Sequence, residues 1–212
     1  MNLADLRREY MQKGFSEEQS RPDPFEQFGV WLEEALAVPL LEPNAMTLAT
    51  CSADGKPTAR VVLLRGFDGR GFTFFTNRHS GKGRQLAENP QACLVLFWPE
   101  MDRQIRIEGH VEWTSDEESE VYFASRPRGS QLAAWASRQS EVIPNRAALE
   151  QRVEEFAIKY AEQAVPRPPH WGGYRVVPAK IEFWQGRPSR LHDRLRYRKG
   201  TDGKWIRERL AP

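Results

Sequence analysis

Near the end of the chain, Glu182-Phe183-Trp184-Gln185-Gly186 is followed by Arg190-Leu191-His192-Asp193-Arg194. Two aromatic rings, a histidine and two arginines within a short span suit a planar, anionic ligand. They offer a stacking surface, cationic hydrogen-bond donors and a group that exchanges its proton near neutral pH. The same residues also suit a solvated basic surface. His192 stands between two guanidinium groups, which disfavour imidazolium and leave a neutral ring able to accept a hydrogen bond. Trp184, at a strand end, reads either as core packing or as a platform for a ring.

Other polar residues gather around apolar runs. Arg60 and Arg65 bracket Val61-Val62-Leu63-Leu64. Lys82 falls in the first turn of an expected helix, where a cation opposes the helix dipole unless an anion lies nearby. It reads equally as a surface lysine. Tyr122, Arg126, Arg128 and Ser130 cluster where Pro127 breaks a helix. A phenol, guanidinium groups and a hydroxyl make a plausible phosphate cradle, or a capped helix end with exposed arginines. Gln104, Gln139 and Ser140 supply amide and hydroxyl groups that could read the edge of a heterocycle.

Other chemistries find no support in the sequence. His79, His110, His170 and His192 are scattered and no CxxC or HExxH spacing occurs, so no metal site is expected. There is no GxSxG elbow and no Rossmann fingerprint, and Ser80-Gly81-Lys82-Gly83 lacks Walker spacing. A nucleotide cofactor would have to be held by side chains and strand backbone.

Thirty-one basic residues against 29 acidic ones give a net charge of +2. That balance argues against a general polyanion binder. The first ten residues have no apolar core, and the longest apolar run, Ala92 to Trp98, is too short to cross a bilayer. Cys51 and Cys93 lie in apolar strand-like segments and read as free thiols in a reducing compartment. The expectation is a soluble cytoplasmic protein with no membrane and no nucleic-acid partner.

The elements that position these residues follow from periodicity. Leu3 to Lys13 reads as a polar helix and Gly14 to Asp23 as a mobile connection. Pro24 then opens a helix with Phe25, Phe28, Trp31, Leu32 and Leu36 on one side. Strands are expected at Met46 to Ser52, Thr58 to Arg65, Gly71 to Thr76, Ala92 to Trp98 and Gln104 to Thr114, with Asp54-Gly55 and Asp68-Gly69 as turns. A short helix is expected over Ser80 to Asn89. Ser115 and Glu118 form a capping box for a helix to Ser125, and helices are expected over Gln131 to Ser137 and Arg146 to Gln163. Val165 to Gly173 reads as a surface connection. Strands resume at Tyr174 to Val177, Lys180 to Gln185, Leu195 to Arg198 and Lys204 to Arg209, the last two joined at Asp202-Gly203. Consecutive antiparallel strands without βαβ alternation indicate a mainly β, Greek-key-like barrel with peripheral helices.

Several segments, in order, resemble the motifs of the pyridoxamine/pyridoxine 5′-phosphate oxidase family. They are Arg7-Arg8-Glu9-Tyr10, Arg60-Val61-Val62-Leu63-Leu64, Phe75-Thr76-Asn77, Tyr122 to Arg128, Ser137-Arg138-Gln139-Ser140, Glu182 to Gly186 and Arg190 to Arg194. The resemblance implies an FMN-binding antiparallel split β-barrel over residues 21–212, with 1–20 as a mobile lid, and a homodimer with FMN at the interface. It assigns Arg60, Val61, Val62, Leu63, Leu64, Arg65, Phe75, Thr76, Lys82, Gln104, Gln139, Ser140, Trp184 and Arg194 to FMN. Arg7, Arg8, Glu9, Tyr10, Arg65, Tyr122, Arg126, Ser130, Arg190, Leu191 and His192 fall to the substrate, with Arg190 and His192 over the pyridine ring in the catalytic role. The implied reaction oxidises pyridoxine or pyridoxamine 5′-phosphate to the aldehyde and passes electrons through flavin to O2, forming hydrogen peroxide.

Two positions depart from the family pattern. Arg65 stands where lysine is usual, and Gly81 where arginine is usual. Three rival readings carry their own signatures: a flavin oxidase of another small aromatic substrate, such as a phenazine precursor; a nucleic-acid binder using Arg187 to Lys199; and a non-catalytic carrier of pyridoxal phosphate.

Overall fold

Asp23 caps the first helix, accepting hydrogen bonds from the N–H groups of Phe25 and Glu26, and Pro24 occupies its first turn. This helix, α1 (Pro24–Leu36), buries Phe28 and Trp31 against the sheet. The computed structural model describes residues 14–212. The expected helix Leu3 to Lys13, with Arg7, Arg8, Glu9 and Tyr10, lies outside the described residues.

The strands β1 (Ala45–Cys51), β2 (Pro57–Leu63), β3 (Gly66–Asp68), β4 (Gly71–Asn77), β5 (Gln91–Trp98), β6 (Arg103–Trp113), β7 (Trp171–Gln185), β8 (Asp193–Lys199) and β9 (Trp205–Arg209) form one antiparallel sheet. Its order is β2-β1-β5-β6-β7-β4-β3, with β8 and β9 branching from β7. The branch splits the barrel. β7 pairs with β6 along most of its length, with β4 at its start and with β8 at its end. Between Glu108 and Gly109 a bulge shifts the β6–β7 register. A Cβ on Gly109 would lie 2.0 Å from the carbonyl oxygen of Val177, so only glycine allows that approach.

Alternation sorts each strand into two faces. The inner face carries Met46, Leu48, Phe72, Phe74, Leu94, Leu96, Ile105, Ile107, Ile181, Phe183 and Leu195, which with Phe28 and Trp31 make the main core. On the outer face the register aligns Val61, Thr47, Val95, Arg106, Glu182, Arg196 and Glu208 in one row across the strands. A neighbouring row holds Phe97, Gln104, Trp184 and Arg194.

The helices α2 (Gly81–Glu88), α3 (Asp116–Ser125), α4 (Arg128–Ala136) and α5 (Arg146–Lys159) sit around the sheet. The capping box of Ser115 and Glu118 closes the start of α3. A second, smaller core of Phe123, Leu132, Tyr160, Val165 and Trp171 joins α3 and α4 to the start of β7.

Two expectations change. Residues 165–173 are not simply a surface connection: Trp171, Gly172 and Gly173 are buried and already belong to β7. The stretch 14–23, read as mobile, is bound to β8 and β9. Phe15 is buried against Trp31 and Phe183, and its N–H donates to Asp193 at 2.9 Å. Arg207 holds Ser20, Arg209 holds Glu17, and the Tyr197 hydroxyl donates to the Arg21 carbonyl. The cause is Phe15, an apolar anchor in an otherwise polar stretch.

Candidate functional site

A cleft of about 430 Å³ opens between β2, β4, the start of α2 and the helices α3 and α4. Arg60, Val61, Val62, Leu63, Arg65, Phe75, Thr76, Lys82, Tyr122, Arg126 and Gln139 all line it, so the structure brings these expected residues together. No aspartate or glutamate is among the described residues lining it, while four cations are. Such a wall favours an anionic ligand.

The cations fall into two groups. In one, the Lys82 ammonium donates to Gln139 Oε1 at 2.8 Å and to Thr76 Oγ1 at 3.2 Å. Burial, with a smaller contribution from Arg60, lowers its pKa to about 8. Arg60 donates to Thr50 Oγ1 at 2.7 Å and to the Leu48 carbonyl at 3.1 Å. The Thr50 and Thr58 hydroxyls donate in turn to Gln85 on α2, fixing the guanidinium from behind. The Gly81 N–H donates to Ser140 Oγ at 3.1 Å, which ties the loop after α4 to the start of α2.

The other group is Arg65 and Arg126 with the aromatic side chains. Phe75 and Tyr122 stack with centroids 4.1 Å apart, and Phe75 stacks on Trp171 at 5.5 Å. Arg65 lies over Tyr122 and Arg126 over Trp171. The Arg126 Nη1 is buried without a hydrogen-bond partner. Burial lowers the Arg126 pKa, and Arg65 adds to the effect. A desolvated guanidinium with an unmet N–H, in a cleft with no acid among the described residues lining it, is a fitting site for a phosphate.

Some assigned residues lie elsewhere. Leu64 points into the core, and its N–H and carbonyl are both taken by Asn44. Ser130 sits in the first turn of α4, one turn before the lining residues Ala133 and Ala134. Gln104, Trp184 and Arg194 form their own row at the far end of β7 from Trp171. At about 3.3 Å per residue those ends are up to roughly 40 Å apart along the strand. In one chain the expected site residues therefore fall into two separate groups.

The second group has its own order. Arg194 closes on the buried carboxylate of Glu182 at 2.7 Å, and Arg106 meets the other oxygen at 2.8 Å. His192 packs beside Trp184 at 4.7 Å and accepts the Arg187 N–H on Nδ1 at 3.1 Å. In the neutral ring the proton is therefore on Nε2. Its pKa is lowered first by burial and second by Arg190. Arg194, expected to share that effect, is engaged by Glu182 instead. Ser189 and Arg190 both have positive φ, 55° and 61°, and with Leu191 they form an exposed loop. Arg196 and Arg198 share the Glu208 carboxylate.

Trp171 was missed in the sequence, where prolines and glycines around it suggested only a connection. Asn77 and Ser137, joined at 3.4 Å and also lining the cleft, were marked only as members of motifs.

Comparison with known proteins matches residues 32–160 to the family described as pyridoxamine 5′-phosphate oxidase. Residues 171–212 match a pyridoxine 5′-phosphate oxidase C-terminal dimerisation region. A pyridoxine/pyridoxamine 5′-phosphate oxidase of Nostoc sp. is 58% identical over 99% of this chain and 98% of its own. The enzyme of the same name from Cupriavidus necator is 57% identical over 99% of both. Among solved structures, PhzG from Burkholderia lata, in complex with tetrahydrophenazine-1-carboxylic acid, superposes with a TM-score of 0.87 at 33% identity, covering 92% of this chain and 95% of its own. A pyridoxamine 5′-phosphate oxidase-related, FMN-binding protein of Nostoc punctiforme shares the fold at a TM-score of 0.71 and 18% identity, over 90% of this chain and 98% of its own. With relatives more than half identical along almost its whole length, the chain belongs to the pyridoxamine/pyridoxine 5′-phosphate oxidase family.

Proposed function

We propose that this chain is an FMN-dependent oxidase converting pyridoxine and pyridoxamine 5′-phosphates to pyridoxal 5′-phosphate in the cytoplasm, with O2 consumed and hydrogen peroxide released. The observation that carries this reading is a cleft with two separate cationic groups, enough for two phosphates, and no acid among the described residues that line it. Lys82 and Arg60, with Thr76, Gln139 and Ser140, suit the FMN phosphate. Arg65, Tyr122 and Arg126, with Ser130 nearby, suit that of the substrate. Bound flavin would accept the hydride and return electrons to O2. The protein residues bind, orient and desolvate.

The working unit in this reading is a homodimer, consistent with the matched dimerisation region. The outer face of the sheet supports a two-fold arrangement: it is apolar or neutral on β2, β1 and β5 and charged on β6 to β9. An isologous contact would bring the β7–β8 end of one copy to the β2 end of the other. Gln104, Trp184 and Arg194 would then complete the partner's FMN site, and Arg190, Leu191 and His192 its substrate site. Arg7, Arg8, Glu9 and Tyr10 are given their part as a lid by the family resemblance alone. Gly14 lies against Arg187, at the base of the Arg190–His192 loop.

Aerobic incubation of FMN-loaded protein with each phosphorylated vitamer tests the reading. Aldehyde and peroxide should form in equal amounts. Tight aldehyde binding without peroxide would point to a carrier, and no reaction with either vitamer would end the proposal. The resemblance to PhzG makes oxidation of a reduced phenazine precursor the second reading. It predicts turnover of a substrate without phosphate, for which Arg126 would be dispensable.

A further inference from the structure

Arg126 is a cation held in place without a hydrogen bond to its buried Nη1. Its charged carbon instead stands 4.7 Å from the centroid of Trp171 and 5.6 Å from that of Phe123. Trp171 is itself fixed. It is 7% exposed, its N–H donates to the Pro168 carbonyl at 3.0 Å, and its carbonyl accepts from Arg167 at 2.8 Å. Its ring meets Phe75 nearly parallel and Phe123 edge-on. The indole is thus a rigid plate at the first residue of β7, with the guanidinium over one part of it.

We propose that Trp171 is a positioning residue that sets the affinity for the phosphate of the substrate by holding Arg126 through its ring face. The inference rests on the reading that Arg126 meets that phosphate. A guanidinium held by an aromatic face keeps its N–H groups available to an incoming oxyanion, whereas one held by a carboxylate would already have used them. The π-face also offsets part of the cost of burying the charge while keeping the local charge positive. The cation that acts on it from elsewhere in the cleft is Arg65, and no acid is among the described residues lining the cleft to compete for the guanidinium.

The test compares Trp171→Leu, Trp171→Phe, Arg126→Ala and the double variant Trp171→Leu/Arg126→Ala as FMN-loaded proteins. Trp171→Leu should raise KM for pyridoxine 5′-phosphate roughly tenfold, about 1.4 kcal/mol, with kcat and FMN affinity within about twofold of the parent. Trp171→Phe should recover most of the loss, and the double variant should be no worse than Arg126→Ala alone. Additive effects, or a loss in kcat or FMN affinity in place of KM, would overturn the inference. An unchanged KM in Arg126→Ala would instead remove the phosphate assignment itself, and the inference with it. If Trp171→Leu does not fold, fluorinated tryptophan incorporated throughout the chain gives the same decision without a change of shape. KM should rise with each added fluorine in the parent and stay level in Trp171→Phe; a level response in both overturns the inference.

Discussion

The Nε of Arg194 lies 2.7 Å from the carboxylate of Glu182, which is buried to 5% side-chain exposure. Arg106 holds the second oxygen of the same group at 2.8 Å. Glu182 therefore fixes two guanidinium groups, one on each strand that flanks its own, and sets where Arg194 can point. Glu182→Gln should lower stability by about 2 kcal/mol, less than for a fully buried pair because both arginines are partly exposed. It should also weaken FMN binding several-fold. Urea unfolding and flavin fluorescence titration check the two effects.

Lys82 gives the cleft a pH dependence. Folding takes it from 10.5, its ordinary value, to about 8, so between these values the unfolded chain binds more protons. In the ligand-free protein its contribution to stability should rise with pH from about 8 to about 10.5 and be lowest below 8. Comparing unfolding midpoints of the parent and Lys82→Gln across that range isolates it. A bound phosphate favours the charged ammonium, so FMN affinity should fall as pH rises through about 8. That fall should be absent in Lys82→Gln.

Arg190 is exposed and stands on a loop away from the cleft of its own chain. Arg190→Ala should reduce kcat by roughly a hundredfold, the loss expected when a charge aligned with the reacting ring is removed. Stability and FMN content should stay near those of the parent. Stopped-flow flavin reduction under anaerobic conditions measures the step directly, and an unchanged rate contradicts the assignment.

The bulge at Gly109 makes a purely structural prediction. Any Cβ there meets the Val177 carbonyl at 2.0 Å, so Gly109→Ala must separate β6 from β7. A loss on the order of 3 kcal/mol is expected in urea unfolding.

The sheet was legible because its strands alternate cleanly. Met46, Leu48 and Thr50 face inward on β1, and Leu94 and Leu96 do so on β5. Capping was legible for the same local reason, as with Ser115 and Glu118. The start of β7 was not. Gly172 and Gly173 look like turn residues, yet Gly173 is glycine because Thr114 and Phe75 press within 3 Å of where its Cβ would be. Close packing and a turn leave the same letter in a sequence. The aromatic plate under Arg126 was hidden too, because Phe75, Tyr122, Arg126 and Trp171 come from three distant segments. Nor does the sequence reveal that Arg60 and Trp184 lie far apart in one chain, since that follows from sheet order.

The separation of these two groups on one sheet has a consequence for inheritance. In the proposed dimer, a chain disabled at Arg60 and another disabled at Trp184 would each be inactive as a homodimer. Mixed in one cell, the two would form pairs in which one composite site carries both lesions and the other carries none. Alleles damaged at opposite ends of the sheet would complement, and alleles damaged at the same end would not.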